Sequence, residues 1–128
     1  MKYMIAFFFA FLATAGLATC PKNPSIGTDL NRAYDELKFA KFSADAQHVT
    51  DQLWSLWTQA PDGKAQRLLN NGMLKMRQGD LDDAEADLTE LVAYCPNYAE
   101  GYNQRAFARY LSSKFKDALP DLEKALSI

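Results

Sequence analysis

Three groups of side chains in this sequence are of types that do chemistry, but none has the spacing of a complete site. The only histidine, His48, has no second histidine, cysteine or carboxylate at a spacing that makes a metal site persuasive. The acidic run from Asp80 to Asp87 lacks the turn glycine and distal glutamate of a helix-loop-helix calcium site, and it suits the solvated first turn of a helix. Neither Cys20 nor Cys95 has a candidate base nearby in sequence. We therefore predict no catalytic residues, no metal and no cofactor.

Residues 1–20 have the order of a secretory signal peptide. Lys2 gives a positive start, residues 5–12 form an apolar block, and small residues follow up to position 18. This order predicts a signal peptide over residues 1–18, with cleavage after Ala18 or, as a second choice, after Ala15. We therefore expect an exported, periplasmic protein.

Two alternatives concern the same segment. The uncharged residues 3–21 are just long enough to be retained as a membrane anchor. Residues 17–20 resemble a lipobox, which would place a lipid on Cys20, although Thr19 is unusual before a lipidated cysteine. We expect contact with a membrane only if the signal is retained or Cys20 is lipidated.

Export would give the two cysteines a structural role. In an oxidising compartment, two cysteines in a small domain tend to pair. A bridge between Cys20 and Cys95 would close a loop of about 75 residues and hold the N-terminal arm against the rest of the chain. The alternative is a buried free thiol at Cys95 with Cys20 lipidated or unused.

Composition and charge limit the classes of partner. The chain has 128 residues, of which 48% are hydrophobic and 23% charged, as expected for one globular domain. Its 14 basic residues are scattered and are outnumbered by 16 acidic ones, which gives a net charge of -2. Because a nucleic-acid-binding protein normally shows a basic face, we predict no nucleic-acid partner.

The rest of the chain has the apolar spacing of helices. Residues 19–28, with two prolines and a glycine, are predicted to form an extended arm. Helical periodicity over residues 29–61 then predicts a hairpin of two helices, ended by Pro61, and Trp54 and Trp57 are expected to pack against the following unit. Four further helices are predicted over residues 65–128. The sequence thus predicts an all-α fold of antiparallel helical hairpins.

The second half of the chain contains an internal repeat. A shift of 34 residues, from position 65 to position 99, maps residues 65–98 onto residues 99–128. The matched pairs include Leu68 and Tyr102, Gly72 and Ala106, Met73 and Phe107, Met76 and Tyr110, Ala84 and Ala118, and Leu88 and Leu122. A repeat of this length is typical of a stacked helical array. Such arrays usually bind, hold or scaffold other proteins.

Residues 65–128 resemble tetratricopeptide repeats. That family has a small residue at the eighth position of each unit, alanine at the twentieth, a large apolar residue at the twenty-fourth and proline at the thirty-second. The matching residues are Gly72, Ala84, Leu88 and Pro96 in repeat 1 (65–98), and Ala106, Ala118 and Leu122 in repeat 2 (99–128), which ends before its proline. The resemblance implies close helix crossings at the four small residues, and a short right-handed solenoid of about three hairpins.

The first hairpin fits the repeat pattern only loosely. Leu37 and Val49 stand where small residues belong, so we interpret residues 29–61 as a divergent repeat or a capping hairpin. The leader, the early cysteine and the segment 94–101 make the whole chain similar to small exported bacterial proteins that carry a pair of such repeats. This similarity implies a location more than a function.

The resemblance also implies a binding groove lined by the first helix of each repeat. The matching residues are Leu69, Met73, Met76, Asn103, Phe107 and Tyr110. Methionine and aromatic side chains suit an apolar peptide or helix, and core packing is the alternative for each of these residues. The carboxylate-binding version of these repeats has Lys and Asn on the groove wall, where this chain has Leu69, Met73 and Phe107. We therefore do not expect recognition of an acidic C-terminal tail.

Some residues depart from the family pattern. Polar residues at its usually apolar positions, Arg105 and Arg109 among them, predict looser or polar-edged packing between helices. Pro120 falls inside the last helix, which is tolerable if that helix starts near Lys116 and leaves its first amides free.

The last helix also lacks the polar closing helix that solenoids usually have. It leaves Leu119, Leu122 and Leu126 without a cover, so we expect either a fragment or a homodimer through this helix. The predicted function is a non-enzymatic protein–protein interaction module of the bacterial cell envelope, which docks an unknown protein or peptide in the groove. The alternative is a self-associating structural or assembly component, or a lipid-anchored scaffold.

Overall fold

The computed structural model describes residues 19–128, and the predicted signal peptide lies outside these described residues. Within them the chain forms six α-helices and no strand. The helices are α1 (Gly27–Phe39), α2 (Ser43–Trp57), α3 (Gly63–Gln78), α4 (Leu81–Tyr94), α5 (Ala99–Leu111) and α6 (Phe115–Leu126). Consecutive helices pack as α1 with α2, α3 with α4, and α5 with α6, while α4 and α5 join the last two hairpins. The predicted all-α stack of hairpins is confirmed.

Local signals explain where the middle helices begin and end. The carboxylate of Asp62 accepts the backbone N–H of Ala65 at 2.8 Å, which satisfies one of the free amides at the start of α3. At its other end, α3 stops at Gly79, whose φ of 86° lies in the left-handed region that glycine adopts without steric cost. A single residue at each end thus fixes the length of this helix.

The position of Pro120 in α6 differs from the expectation. The helix begins at Phe115, so Pro120 is its sixth residue and lies beyond the free amides of the first turn. Proline lacks the N–H that would otherwise bond to the carbonyl of Lys116. Both Lys116 and Pro120 are exposed, so water can reach this side of the helix and replace the missing bond.

The main core lies between α3, α4 and α5. Leu69, Leu88 and Leu91 are fully buried there. A Cβ atom on Gly72 would lie 2.6 Å from Cγ of Leu88, so α3 and α4 approach each other at a point where only glycine fits without movement. The other small residues of the repeat pattern, Ala84, Ala106 and Ala118, are also buried.

The first hairpin has a small core of its own. Ala33, Val49 and Leu53 are buried between α1 and α2, separately from the main core. The loop after α2 connects this hairpin to the rest. There the side chain of Gln66 accepts the N–H of Ala60 at 2.9 Å and donates to the carbonyl of Thr58 at 3.1 Å. These bonds hold the end of α2 beside α3.

A disulfide joins Cys20 to Cys95, with the two Cα atoms 5.1 Å apart. Cys95 is almost fully buried at the end of α4, so the bridge holds the extended arm against the main core. The side chain of Asn23 adds a hydrogen bond to the carbonyl of Asn97. Of the two cysteine states that the sequence allowed, the bridged one is present.

A cluster of ion pairs connects α4, α5 and α6. Arg105 donates to both carboxylate oxygens of Asp121, at 2.8 and 2.6 Å. Arg109 donates to Asp121 at 2.9 Å and to Glu85 at 2.7 Å, and Lys114 donates to Glu85 at 2.9 Å. Burial by itself raises the pKa of Glu85, but its bonds to Lys114 and Arg109 outweigh this effect and lower the pKa below its ordinary value. Packing at the arginine positions is therefore polar, as expected, but not loose.

One of these ion pairs follows the internal repeat. Lys75 of α3 lies 2.7 Å from Asp87 of α4. A shift of 34 residues converts this pair into Arg109 of α5 and Asp121 of α6, which also form an ion pair. The repeat therefore includes a polar contact between the two helices of each hairpin, as well as the apolar residues.

Candidate docking groove

An apolar groove opens where α2, α3 and α5 meet. Its volume is about 450 Å³, within the range of ligand-binding clefts. We call it the docking groove, and it is lined by Trp54, Met73, Met76, Arg77, Asn103, Gln104, Phe107 and Leu111. Five of these eight side chains are apolar, so the groove offers a mainly apolar surface to water.

Each helix contributes residues at helical spacing. From α3 come Met73, Met76 and Arg77, and the last two follow Met73 by three and four residues, which places them beside it on the helix surface. On α5, Phe107 and Leu111 are four residues apart in the same way. Trp54 is the contribution of α2, and it reaches the groove because the loop after α2 is bonded to α3.

The two methionines and the three larger exposed side chains have different roles in the groove. Met73 and Met76 are half-buried and pack against the main core, so they form the floor. Trp54, Phe107 and Leu111 keep 46%, 49% and 42% of their surfaces exposed, which leaves them available to a bound molecule. A flexible thioether floor between flat or branched apolar walls can adapt to different apolar side chains.

A half-buried carboxyl group in the first turn of α5 contacts two residues of the groove. Glu100 accepts hydrogen bonds from the side-chain amides of Asn103 at 3.0 Å and Gln104 at 2.6 Å. Burial raises the pKa of Glu100 above its ordinary value, although both hydrogen bonds oppose this change. Glu100 thereby holds the two polar groove residues of α5 in fixed positions.

Four of the six predicted groove residues line the docking groove together, namely Met73, Met76, Asn103 and Phe107. Leu69 does not, and its assignment is corrected. Leu69 has no exposed surface and belongs to the main core with Leu88 and Leu91. It lies one helical turn before Met73, where this face of α3 is already inside the core. Tyr110 lies in a different groove.

This second groove, the end groove, lies between α5 and α6 and has a volume of about 400 Å³. It is lined by Asn103, Ala106, Phe107, Tyr110, Phe115, Lys116, Ala118, Leu119 and Leu122. The rings of Phe107 and Tyr110 are stacked with centroids 6.5 Å apart, and Tyr110 lies 5.6 Å from Phe115. Phe107 lines both grooves and makes the apolar surface continuous between them.

The groove prediction missed four residues, Trp54, Arg77, Gln104 and Leu111. Leu111 could have been found, because it follows Phe107 by one helical turn. Trp54 belongs to a helix outside the repeat, so no pattern in residues 65–128 indicates it. Its place in the groove depends on how α2 is bonded to α3.

The residues first considered for chemistry lie elsewhere. His48 is exposed on α2, where its Nε2 lies 2.9 Å from the amide nitrogen of Gln52. In the acidic run, Glu85 and Asp87 are ion-paired to neighbouring helices. Across residues 19–128, no group of three or more side chains is placed to hold a metal ion. None of the six helices is long and apolar enough to span a bilayer.

The fold and the groove together define a short stack of helical hairpins with an apolar cleft between its helices. Searches of family models, curated proteins and solved structures find no match to this chain.

Proposed function

We propose that this protein is a non-enzymatic protein–protein interaction module that binds an apolar segment of a partner in the docking groove. The observation that carries the proposal is the exposure of Trp54, Phe107 and Leu111 around a floor of methionines. Large apolar side chains beside a cleft of this size favour burial by a ligand, because each one covered contributes roughly 1 kcal/mol or more to binding.

The shape of the groove favours a helix or an extended peptide. Helices α3 and α5 form the two long sides of the groove. In a helix-in-groove complex, the bound helix inserts side chains that are three or four residues apart in its own sequence into such a cleft. Exposed Arg77 supplies a positive charge at the rim. We therefore propose a partner segment with apolar residues at helical spacing and an acidic residue beside them.

The proposed class is a divergent tetratricopeptide-repeat protein. Two kinds of contact support this class, because they involve positions that the 34-residue sequence repeat relates to each other. The close approach of Gly72 to Leu88 occurs at a pair of positions that the repeat maps onto Ala106 and Leu122. The ion pair described above follows the same shift of 34 residues.

The proposed location is the periplasm or another oxidising compartment of the bacterial envelope. The order of charged, apolar and small residues at positions 1–18 supports export, and the Cys20–Cys95 disulfide suits an oxidising environment. Mass spectrometry of the protein purified from its native compartment tests this. A chain that starts at Thr19 and carries the bridge supports the proposal. A retained leader or an added lipid on Cys20 would instead favour a membrane-attached form.

The docking proposal is tested by capture from an envelope extract with three variants. Trp54→Glu and Leu111→Glu place charges in the docking groove alone, since Phe107 is shared with the end groove and Met73 also packs on the core. Leu74→Glu is the matched control, because Leu74 is 45% exposed on α3 and does not line the groove.

We expect the wild type and Leu74→Glu to retain the same partner, and both groove variants to lose it while their helical circular dichroism is unchanged. Binding is then measured directly with the purified partner. Equal retention by all four proteins would contradict docking at this groove, and unfolding of the groove variants would show that these side chains belong to the core.

A further inference from the structure

Helix α6 carries a stripe of exposed apolar residues that the docking groove does not use. Phe115, Leu119, Leu122 and Leu126 have exposed fractions of 55%, 60%, 41% and 90%. Their spacing of four, three and four residues is the heptad pattern by which two helices pack along a shared seam. We call these four residues the α6 seam.

The α6 seam is centred away from the face that packs against α5, although Phe115, Leu119 and Leu122 also line the end groove. The inner face of α6 is marked by Ala118 and Asp121, which are buried. Successive residues of an α-helix point in directions about 100° apart around its axis. By this geometry, the mean direction of the four seam residues differs by about 100° from the mean direction of Ala118 and Asp121. A second helix can therefore cover the seam and leave the packing of α5 on α6 intact.

We propose that the α6 seam is a homodimer interface, in which α6 of a second copy of this chain packs antiparallel to the first. The pattern of α6 is self-complementary in this arrangement. Leu119 then faces Leu122 of the second copy, and Phe115 faces Leu126 of the second copy, so all four seam residues meet apolar partners. Three seam residues, Phe115, Leu119 and Leu122, also line the end groove, which receives side chains from the second copy.

The charges that flank the seam identify the occupant as a second copy. Lys116 and Glu123 follow the seam residues Phe115 and Leu122 by one position, and both are exposed. In the antiparallel register, Lys116 of each copy faces Glu123 of the other, which gives two ion pairs by symmetry. The opposite flank carries Ala118 and Ala125 and turns toward α5, so it places no charge against this register. A parallel arrangement brings neither charge to an opposite one.

A charge-swap series measured by sedimentation equilibrium tests this interface on the purified protein. The wild type is expected to form dimers in a concentration-dependent way. Lys116→Glu replaces two attractive pairs with two repulsive ones and is expected to weaken the dimer about tenfold. Adding Glu123→Lys to that variant restores opposite charges in the same places, so the double variant is expected to regain the wild-type affinity.

The control and the second line of test use other positions on α6. Lys124→Glu makes the same change of charge on the side of α6 away from the seam, and it is expected to leave the dimer unchanged. Leu119→Asp, at the most exposed residue in the middle of the seam, is expected to abolish it. A protein that stays monomeric at every concentration would overturn the proposal, as would a dimer that is indifferent to Lys116→Glu or is not restored by the double variant.

This interface is independent of partner docking. None of its test residues lines the docking groove, so the charge-swap series and the capture experiment fail or succeed separately.

Discussion

Removal of the Cys20–Cys95 disulfide is expected to lower the free energy of unfolding by between about 2 and about 4.5 kcal/mol. The bridge joins positions 75 residues apart. Closing a loop of that length removes about 15 cal/mol/K of entropy from the unfolded chain, which is about 4.5 kcal/mol at room temperature. This is the upper value, because it assumes that the folded protein is equally ordered with and without the bridge.

The lower value follows from the N-terminal arm. Without the bridge, the arm is held only by its other contacts, of which the hydrogen bond from Asn23 to Asn97 is one. An arm that comes loose in the folded state gains entropy there too, which reduces the loss of stability. The difference between the upper value and the measured one therefore reports how firmly the arm is held by its other contacts.

The variant for this measurement is Cys20→Ser, because Cys20 is only half-buried, whereas Cys95 is almost fully buried and its thiol remains well packed. Urea unfolding followed by far-UV circular dichroism gives the free energies of the two proteins. The wild type in reductant serves as the control and should match the variant. Equal stability of the oxidised wild type and the variant, or two free thiols in the purified wild type, would refute the reasoning.

Three further predictions concern stability. Gly72→Ala is expected to destabilise the protein by about 1 to 2 kcal/mol, because crowding against Leu88 exceeds the gain of about 1 kcal/mol in helix propensity. Asp121→Asn is expected to cost about 2 kcal/mol or more, because it removes the charge that pairs with Arg105 in a largely buried position. Glu100→Gln is expected to stabilise the protein at neutral pH. Burial raises the pKa of Glu100, so the folded state binds a proton at this carboxyl group more tightly than the unfolded chain does. The free energy of unfolding therefore falls as the pH rises above 4.5, the ordinary pKa of a glutamate.

Matched variants and thermal or urea unfolding check these three expectations. Ala106→Gly, at the position equivalent to Gly72, should cost about 1 kcal/mol through helix propensity, in addition to lost packing. Asp117→Asn changes an exposed carboxylate of α6 and should alter stability by less than about 0.5 kcal/mol. The crowding argument is contradicted if Gly72→Ala stabilises the protein. The ion-pair argument is contradicted if Asp121→Asn costs no more stability than Asp117→Asn. The burial argument is contradicted if Glu100→Gln has the same effect on stability at pH 3 and pH 7.

The helices could be predicted from the sequence because their signals are local. Gly79 ends α3 through its own backbone conformation. The start of α3 depends on Asp62, whose carboxylate accepts the N–H of Ala65, three residues further along the chain. Helical spacing likewise predicts which side of each helix is apolar. Pro120 shows the limit, since it is the sixth residue of α6 and lies beyond the free amides of the first turn, where proline is not expected from local signals.

The candidate site could be predicted only in part, because it depends on how helices meet. Leu69 and Met73 are one turn apart on α3, and the sequence pattern does not indicate where along this stripe the core ends and the groove begins. Trp54 enters the groove from a helix outside the repeat. The ion pairs of Asp121 join residues that are 12 and 16 positions apart, so the sequence indicated polar packing but not its partners.

Photo-crosslinking in living cells tests the docking groove most directly. A photoreactive amino acid replaces Leu111, which lines only the docking groove, and in a separate strain it replaces Leu74 as the exposed control. We expect a crosslinked partner from position 111 and none from position 74, with the same partner lost on Trp54→Glu. No adduct at position 111, or the same adduct from both positions, would contradict it.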